Sequence, residues 1–222
     1  MDLEKNVTKI HIAVFFNENP DAFKLAFALK ETFSTMFPNG PQMIPLPPDA
    51  PEDAPRCVFQ NETGSANLNF SLSRMDMDNS LKVEAPWRNH IEIVEMAFVA
   101  ICKQCNIGIK RLGIVVQSLI DDELIQTTSE KVSILDFKQS EEKNIAWVTH
   151  EHVDDSIKLN VNTNIQIHTN NPKEWGTLTL DVNTSVDSIL PQVDKDLLTL
   201  AGTMLDKIQE KMKNVFWKWY PK

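Results

Sequence analysis

Three groups of residues have types and spacings that could do chemistry. Cys102-Lys-Gln-Cys105 is a C-x-x-C pair, the spacing of redox dithiols and of half a zinc site. His150-Glu-His152 sets two imidazoles on one face of a strand, as metal sites do. Asp76 and Asp78, Asp121 and Asp122, and Asp154 and Asp155 are close acidic pairs of the kind that perform acid–base work or hold a hard cation. Each group also has a plain structural reading. The cysteines fall at the end of an expected helix, where the dipole opposes a thiolate, and no second C-x-x-C or C-x-x-H completes a zinc set. The histidines need a third ligand from elsewhere, His168 or His11. The acidic pairs fall where turns are expected, without the spacing of a calcium loop. Neither G-x-S-x-G, a P-loop, G-x-G-x-x-G nor H-E-x-x-H occurs. The sequence therefore assigns no catalytic residue, no metal and no cofactor.

Composition narrows the classes further. The 222 residues carry 22 Lys+Arg against 31 Asp+Glu, a formal charge of -9, which argues against a nucleic-acid binder, since that needs a basic footprint to release counterions from phosphates. At 42% hydrophobic and 24% charged the chain is globular rather than disordered. The longest apolar passage, residues 91–102, is broken by Glu92 and Glu95, so no membrane span is expected. Acids stand where a secretory leader has its basic region, and three cysteines make no disulfide framework. The expected location is cytoplasmic.

The elements that must position these residues follow from periodicity. Ile10, Ile12, Val14 and Phe16 alternate along a strand over 8–16. Asn19-Pro20-Asp21 reads as the start of a helix, with Asn19 as cap, running to Phe37. Residues 38–55 hold seven of the twelve prolines and read as a stiff connector. Strands follow at 56–60 and 66–73, then a polar turn at 76–80. A second helix is expected over 88–105, opened by Pro86-Trp87. Strands resume at 109–119, 132–138, 145–153, 158–168 and 175–182, and an amphipathic helix over 190–218 closes the chain. The fold class expected is α+β: antiparallel sheet meanders packed by three main amphipathic helices, in two weakly related halves. The halves are 1–108, which includes the 38–55 connector, and 109–222.

The layout resembles a sporadically distributed, functionally uncharacterised prokaryotic α+β family. The resemblance is carried by the proline-rich lead into Arg56-Cys-Val-Phe-Gln60, the alternating strand to Arg74-Met-Asp76, the tryptophan-led central helix and Lys110-Arg-Leu-Gly-Ile-Val-Val116. It extends to Leu178-Thr-Leu-Asp-Val182 with the long final helix. Arg111 and Gly113 match the family's Arg-x-Gly segment. The second half, four antiparallel strands and a helix with an acidic charge, resembles the SecB chaperone layout. The resemblance carries over no catalytic residue.

The function expected from these features is non-enzymatic protein binding: a chaperone-like, inhibitor-like or antitoxin-like module, in a phage or prokaryotic defence context. Phe216-Trp-Lys-Trp-Tyr220 cannot turn both Trp217 and Trp219 to one core, and leftover aromatic surface marks protein contacts. Trp87, Arg111, Trp175, Trp217 and Trp219 are the candidate partner-binding residues. Two alternatives stand beside it: a small-ligand or metal-dependent enzyme built on the His150/His152 strand, and a homo-oligomeric structural component.

Overall fold

The computed structural model describes residues 6–80, 96, 107–120, 142–168, 175–190 and 194–214. In chain order they form β1 (Val7–Phe16), α1 (Ala22–Leu29), β2 (Gln42–Met43), β3 (Cys57–Gln60), β4 (Ala66–Phe70) and β5 (Arg74–Ser80). These are followed by β6 (Ile109–Ile120), β7 (Glu142–His152), β8 (Lys158–His168), β9 (Trp175–Thr184) and α2 (Asp194–Asn214). The strands make one antiparallel sheet in the order β2-β3-β4-β5-β1-β6-β9-β8-β7.

Period-two alternation builds the sheet. Ile10, Ile12 and Val14 of β1, Leu112, Ile114 and Val116 of β6, and Leu178, Leu180 and Val182 of β9 are all buried on one face. Leu197, Met204, Leu205, Ile208 and Met212 of α2 and Leu25 and Leu29 of α1 belong to the same core. Each such buried aliphatic side chain contributes about 1.5–3 kcal/mol. The other face carries Asn67, Asn69, Asp76, Asp78, Asn160, Asn162, Asp181 and Asn183, whereas Ser118, Thr163 and Thr184 are buried on the core side.

The architecture corrects the expected fold class. The structure is dominated by one large sheet, and the described residues contain two helices rather than three. The expected 88–105 helix lies outside the described residues, apart from Met96. Helix α1 stops at Leu29, and Phe33 and Phe37 reach the core from turns instead. Thr32, Ser34 and Thr35 are weak helix formers, and the Ser34 hydroxyl donates to the Glu31 carbonyl at 2.8 Å, competing with helical pairing. Its cap is Asp21, whose carboxylate accepts from the Phe23 and Lys24 amides, not Asn19. The expected turn at 76–80 is strand β5: Met75 and Met77 point into the core, and the pairing energy of two neighbouring strands outweighs the turn preference of Asp and Asn. The expected 132–138 strand lies outside the described residues.

The two halves follow one plan. The opening strand of each, β1 or β6, lies at the centre and pairs with the last strand of a meander, β5 or β9. Facing Ile12 with Ile114 puts a pseudo-two-fold axis between β1 and β6. Under it Lys9, His11 and Ala13 correspond to Arg111, Gly113 and Val115. Asp76 and Asp78, opposite Ala13 and His11, correspond to Asp181 and Asn183, opposite Val115 and Gly113. Asn69 and Asn67 correspond in turn to Asn162 and Asn160. The sheet thus runs unbroken across the junction of the halves.

Candidate functional site

The central strands bring their polar faces together at this axis. A pocket of about 410 Å³ opens there, lined among others by His11, Ala13, Phe15, Asp76, Arg111 and Gly113. Its floor is low because Ala13 and Gly113 face each other across β1 and β6 and neither has a side chain beyond Cβ. A Cβ added at Gly113 would meet the Asn183 Cβ at 3.6 Å and the Ala13 Cβ at 4.0 Å, ordinary contacts. Any longer side chain there projects into the pocket.

One side of the pocket is a compensated charge cluster from the first half. His11 Nδ1 lies 3.1 Å from Asp78 Oδ1 and Nε2 lies 3.5 Å from Asp76 Oδ1. Lys9 Nζ reaches Asp78 at 2.7 Å and Arg74 Nε reaches Asp76 at 2.8 Å. Burial alone would raise the Asp78 carboxyl, but the contacts from Lys9 and His11 outweigh it and hold it below its ordinary value. At Asp76 burial wins, and its carboxyl sits above the usual range despite Arg74 and His11.

The end of the pocket is aromatic and cationic. Phe15 lies between Arg74 and Arg111 in the ladder, and the guanidinium carbons stand 5.6 and 5.3 Å from its ring centroid. Of the two, only Arg74 has a carboxylate within ion-pair distance among the described residues. Arg111 Nη2 donates at 2.9 Å to Asn183 Oδ1, a neutral acceptor. Asn183 passes the contact on, its Nδ2 donating to Asp181 Oδ1 at 3.1 Å, and Asn162 donates to the other Asp181 oxygen at 3.0 Å. Arg111 Nε is buried without a hydrogen-bond partner, as are Arg56 Nε and, although it stands 2.8 Å from Asp76, Arg74 Nε.

Of the residues singled out in the sequence, Arg111 lies in this pocket. Trp175 is the first residue of β9, and Trp87, Trp217 and Trp219 lie outside the described residues, as do Cys102 and Cys105. His150 and His152 stand exposed on β7 at the far end of the sheet, and His150 Nδ1 lies 2.8 Å from Asn160 Oδ1. Four strand spacings of about 4.8 Å separate β7 from β1, so His11 cannot join them at a metal. Among the described residues no three His, Cys, Asp or Glu gather as a metal site. The Asp154 carboxylate serves its own turn, accepting from the Ser156 and Ile157 amides at 2.8 and 2.9 Å. Asp76 and Asp78, expected in a solvated turn, are instead half-buried in the pocket wall. His11, Phe15, Asp76, Asp78 and Asn183 were not legible as one site, because only the register of β5, β1, β6 and β9 joins them.

No helix of the described residues is long and apolar enough to cross a membrane. Comparison with family models, curated proteins and solved structures found no match.

Proposed function

We propose that the protein is a non-enzymatic protein-binding module whose partner docks on the polar face of the sheet, over the pocket at the β1–β6 seam. The observation that carries this reading is Arg111, a half-buried guanidinium in the wall of an open pocket whose hydrogen-bond acceptor, Asn183 Oδ1, is neutral. Half-buried arginines beside an aromatic ring are frequent anchors of protein contacts. The sequence resemblance of the second half to the SecB layout, four antiparallel strands followed by a helix, is what supports a chaperone-like or inhibitor-like role.

The test is affinity capture from the native host with the wild type and with Arg111→Glu, read by mass spectrometry. A protein enriched by the wild type and lost with the variant supports the proposal. A partner retained equally by both removes the pocket from the reading. One second reading has its own observation: His11 between two carboxylates is a general acid–base arrangement. It predicts a turnover abolished by His11→Ala under conditions where Arg111→Gln retains it.

A further inference from the structure

The loop between β9 and α2 turns apolar side chains outward. Val186 is 76% and Ile189 77% exposed, more than any other large hydrophobic side chain among the described residues. The loop is pinned while it does so. The Ser185 amide donates to the Lys158 carbonyl at 2.8 Å and the Ile189 amide to the Ser156 carbonyl at 3.3 Å. Ser188 Oγ accepts from the Lys158 amide at 3.0 Å, and Leu190 is buried. Apolar surface held out in water by a fastened loop is a usual mark of protein contact. Beside the loop lies a groove of about 390 Å³, bounded by the β7–β8 turn and the first turns of α2. Val153, Ile157, Ile189, Leu190 and Leu200 line it, with Asp154 and Asp196 in its wall. Asp155 and Asp187 are exposed on the same two connections. Among the described residues none of these four carboxylates has a cationic partner, whereas Asp76, Asp78 and Glu151 all do. The one cation of residues 153–158 and 185–190, Lys158, belongs by alternation to the opposite face of β8, with Asn160. The groove is thus apolar inside and acidic around the rim.

The chain itself carries a segment of the matching chemistry. After Glu210 it has four lysines and no acid, and Phe216-Trp-Lys-Trp-Tyr220 holds two of the five tryptophans and the only tyrosine. We propose that the groove receives the 216–222 segment of a second copy of this chain. An aromatic ring covers Ile157, Ile189 and Leu200, and Lys218 and Lys222 meet the unpaired aspartates of the rim. The groove volume is of the size that takes such side chains. A copy's own segment is poorly placed for this. Leu200 and Asn214 stand about 21 Å apart along α2 at 1.5 Å per residue, and the chain from Asn214 to Trp219 spans at most about 18 Å. Exchanged reciprocally between two copies, the contact closes a two-fold dimer. This surface shares no residue with the pocket at the β1–β6 seam.

The experiment is sedimentation velocity of the full chain over a range of concentration and salt. The expected result is a dimer that weakens as salt rises. Ile189→Asp, an exposed position whose change leaves the core intact, should weaken it by about tenfold or more. Two charge reversals supply the decisive arm: Lys218→Glu with Lys222→Glu in one chain, and Asp187→Lys with Asp196→Lys in another. Each chain alone should be monomeric and folded by thermal unfolding. Mixed, they should form a dimer again, because each segment then meets a rim of opposite charge. A wild type that stays monomeric at every concentration, a dimer indifferent to Ile189→Asp, or a mixture that does not associate overturns the proposal. A monomeric wild type whose tryptophan fluorescence shifts with Ile189→Asp also overturns it and assigns the groove to the chain's own segment. Host capture through Arg111 reads a different surface, so it can fail while the dimer forms and succeed while the dimer is absent.

Discussion

Arg111 meets Asn183 where, in the other half of the sheet, Lys9 meets Asp78. The distances are 2.9 and 2.7 Å, and the four residues hold equivalent places in equivalent ladders. One half closes its cation with a carboxylate; the other uses an amide and leaves the cation uncompensated. The candidate site is this departure from internal symmetry. Asn183→Asp would restore the symmetry and pair Arg111, but would also set a carboxylate against Asp181, 3.1 Å from the present Nδ2. The variant is expected to lose partner capture, and to be less stable than the wild type by about 1 kcal/mol near neutral pH, with the deficit shrinking in acid as the two carboxylates share a proton. Capture assays and urea unfolding at two pH values check both parts.

Acid stability should follow Asp78. Its folded-state carboxyl lies below the ordinary 3.8, so the stability it contributes is present above that value and fades as pH falls through the folded one. Asp76 has the opposite sign: its carboxyl is raised, so ionising it costs stability as pH rises above 3.8. Thermal unfolding across the acid range should show a shallower acid limb for Asp78→Asn than for the wild type. An unchanged limb would show that the Lys9–Asp78–His11 contacts contribute nothing.

Glu151 is the polar tie between the last strand of the sheet and α2. Its two oxygens meet Lys211 at 2.7 Å and Lys207 at 3.0 Å. Burial works against its ionisation, yet the two lysines prevail and hold it below its ordinary value. Glu151→Ala should cost about 1 kcal/mol at low salt, and less at high salt because the pairs are partly exposed. Urea unfolding at two salt concentrations measures it, and a cost that does not depend on salt would assign the effect to packing instead.

Two glycines should respond oppositely to alanine. A Cβ at Gly176 in β9 would lie 2.9 Å from the Gln166 carbonyl oxygen, so backbone must move. Among the described residues, and apart from its own helix backbone and chain neighbours, nothing lies within 4 Å of a Cβ at Gly202 in α2. Gly176→Ala should destabilise by about 1–3 kcal/mol, and Gly202→Ala should stabilise by about 0.5–1 kcal/mol through helix propensity. Equilibrium unfolding of the two variants checks the pair.

The legible part of this fold was the part written in single strands. Leu159, Val161, Ile165 and Ile167 announce β8 by alternation alone, and Ile10, Ile12 and Val14 announce β1. Strand β5 was hidden because Asp76, Asp78 and Asn79 are turn residues by type; the inward Met75 and Met77 were the available signal. Arg111 was singled out by its place in the Arg-x-Gly segment of the resembled family. Its partners were not, since His11, Phe15, Asp76 and Asn183 meet it only through pairings between strands far apart in the chain. The internal correspondence has the same origin. Asn67-Leu-Asn69 and Asn160-Val-Asn162 are too short to align by themselves, and register makes them equivalent.

The most direct measurement of the central claim is partner capture from the native host by the wild type, Arg111→Glu and Phe27→Ser. Phe27 is 57% exposed on α1, and so controls for nonspecific surface effects. The account predicts one enriched protein shared by the wild type and Phe27→Ser and absent with Arg111→Glu, all three chains being folded. The same protein retained by Arg111→Glu would contradict it.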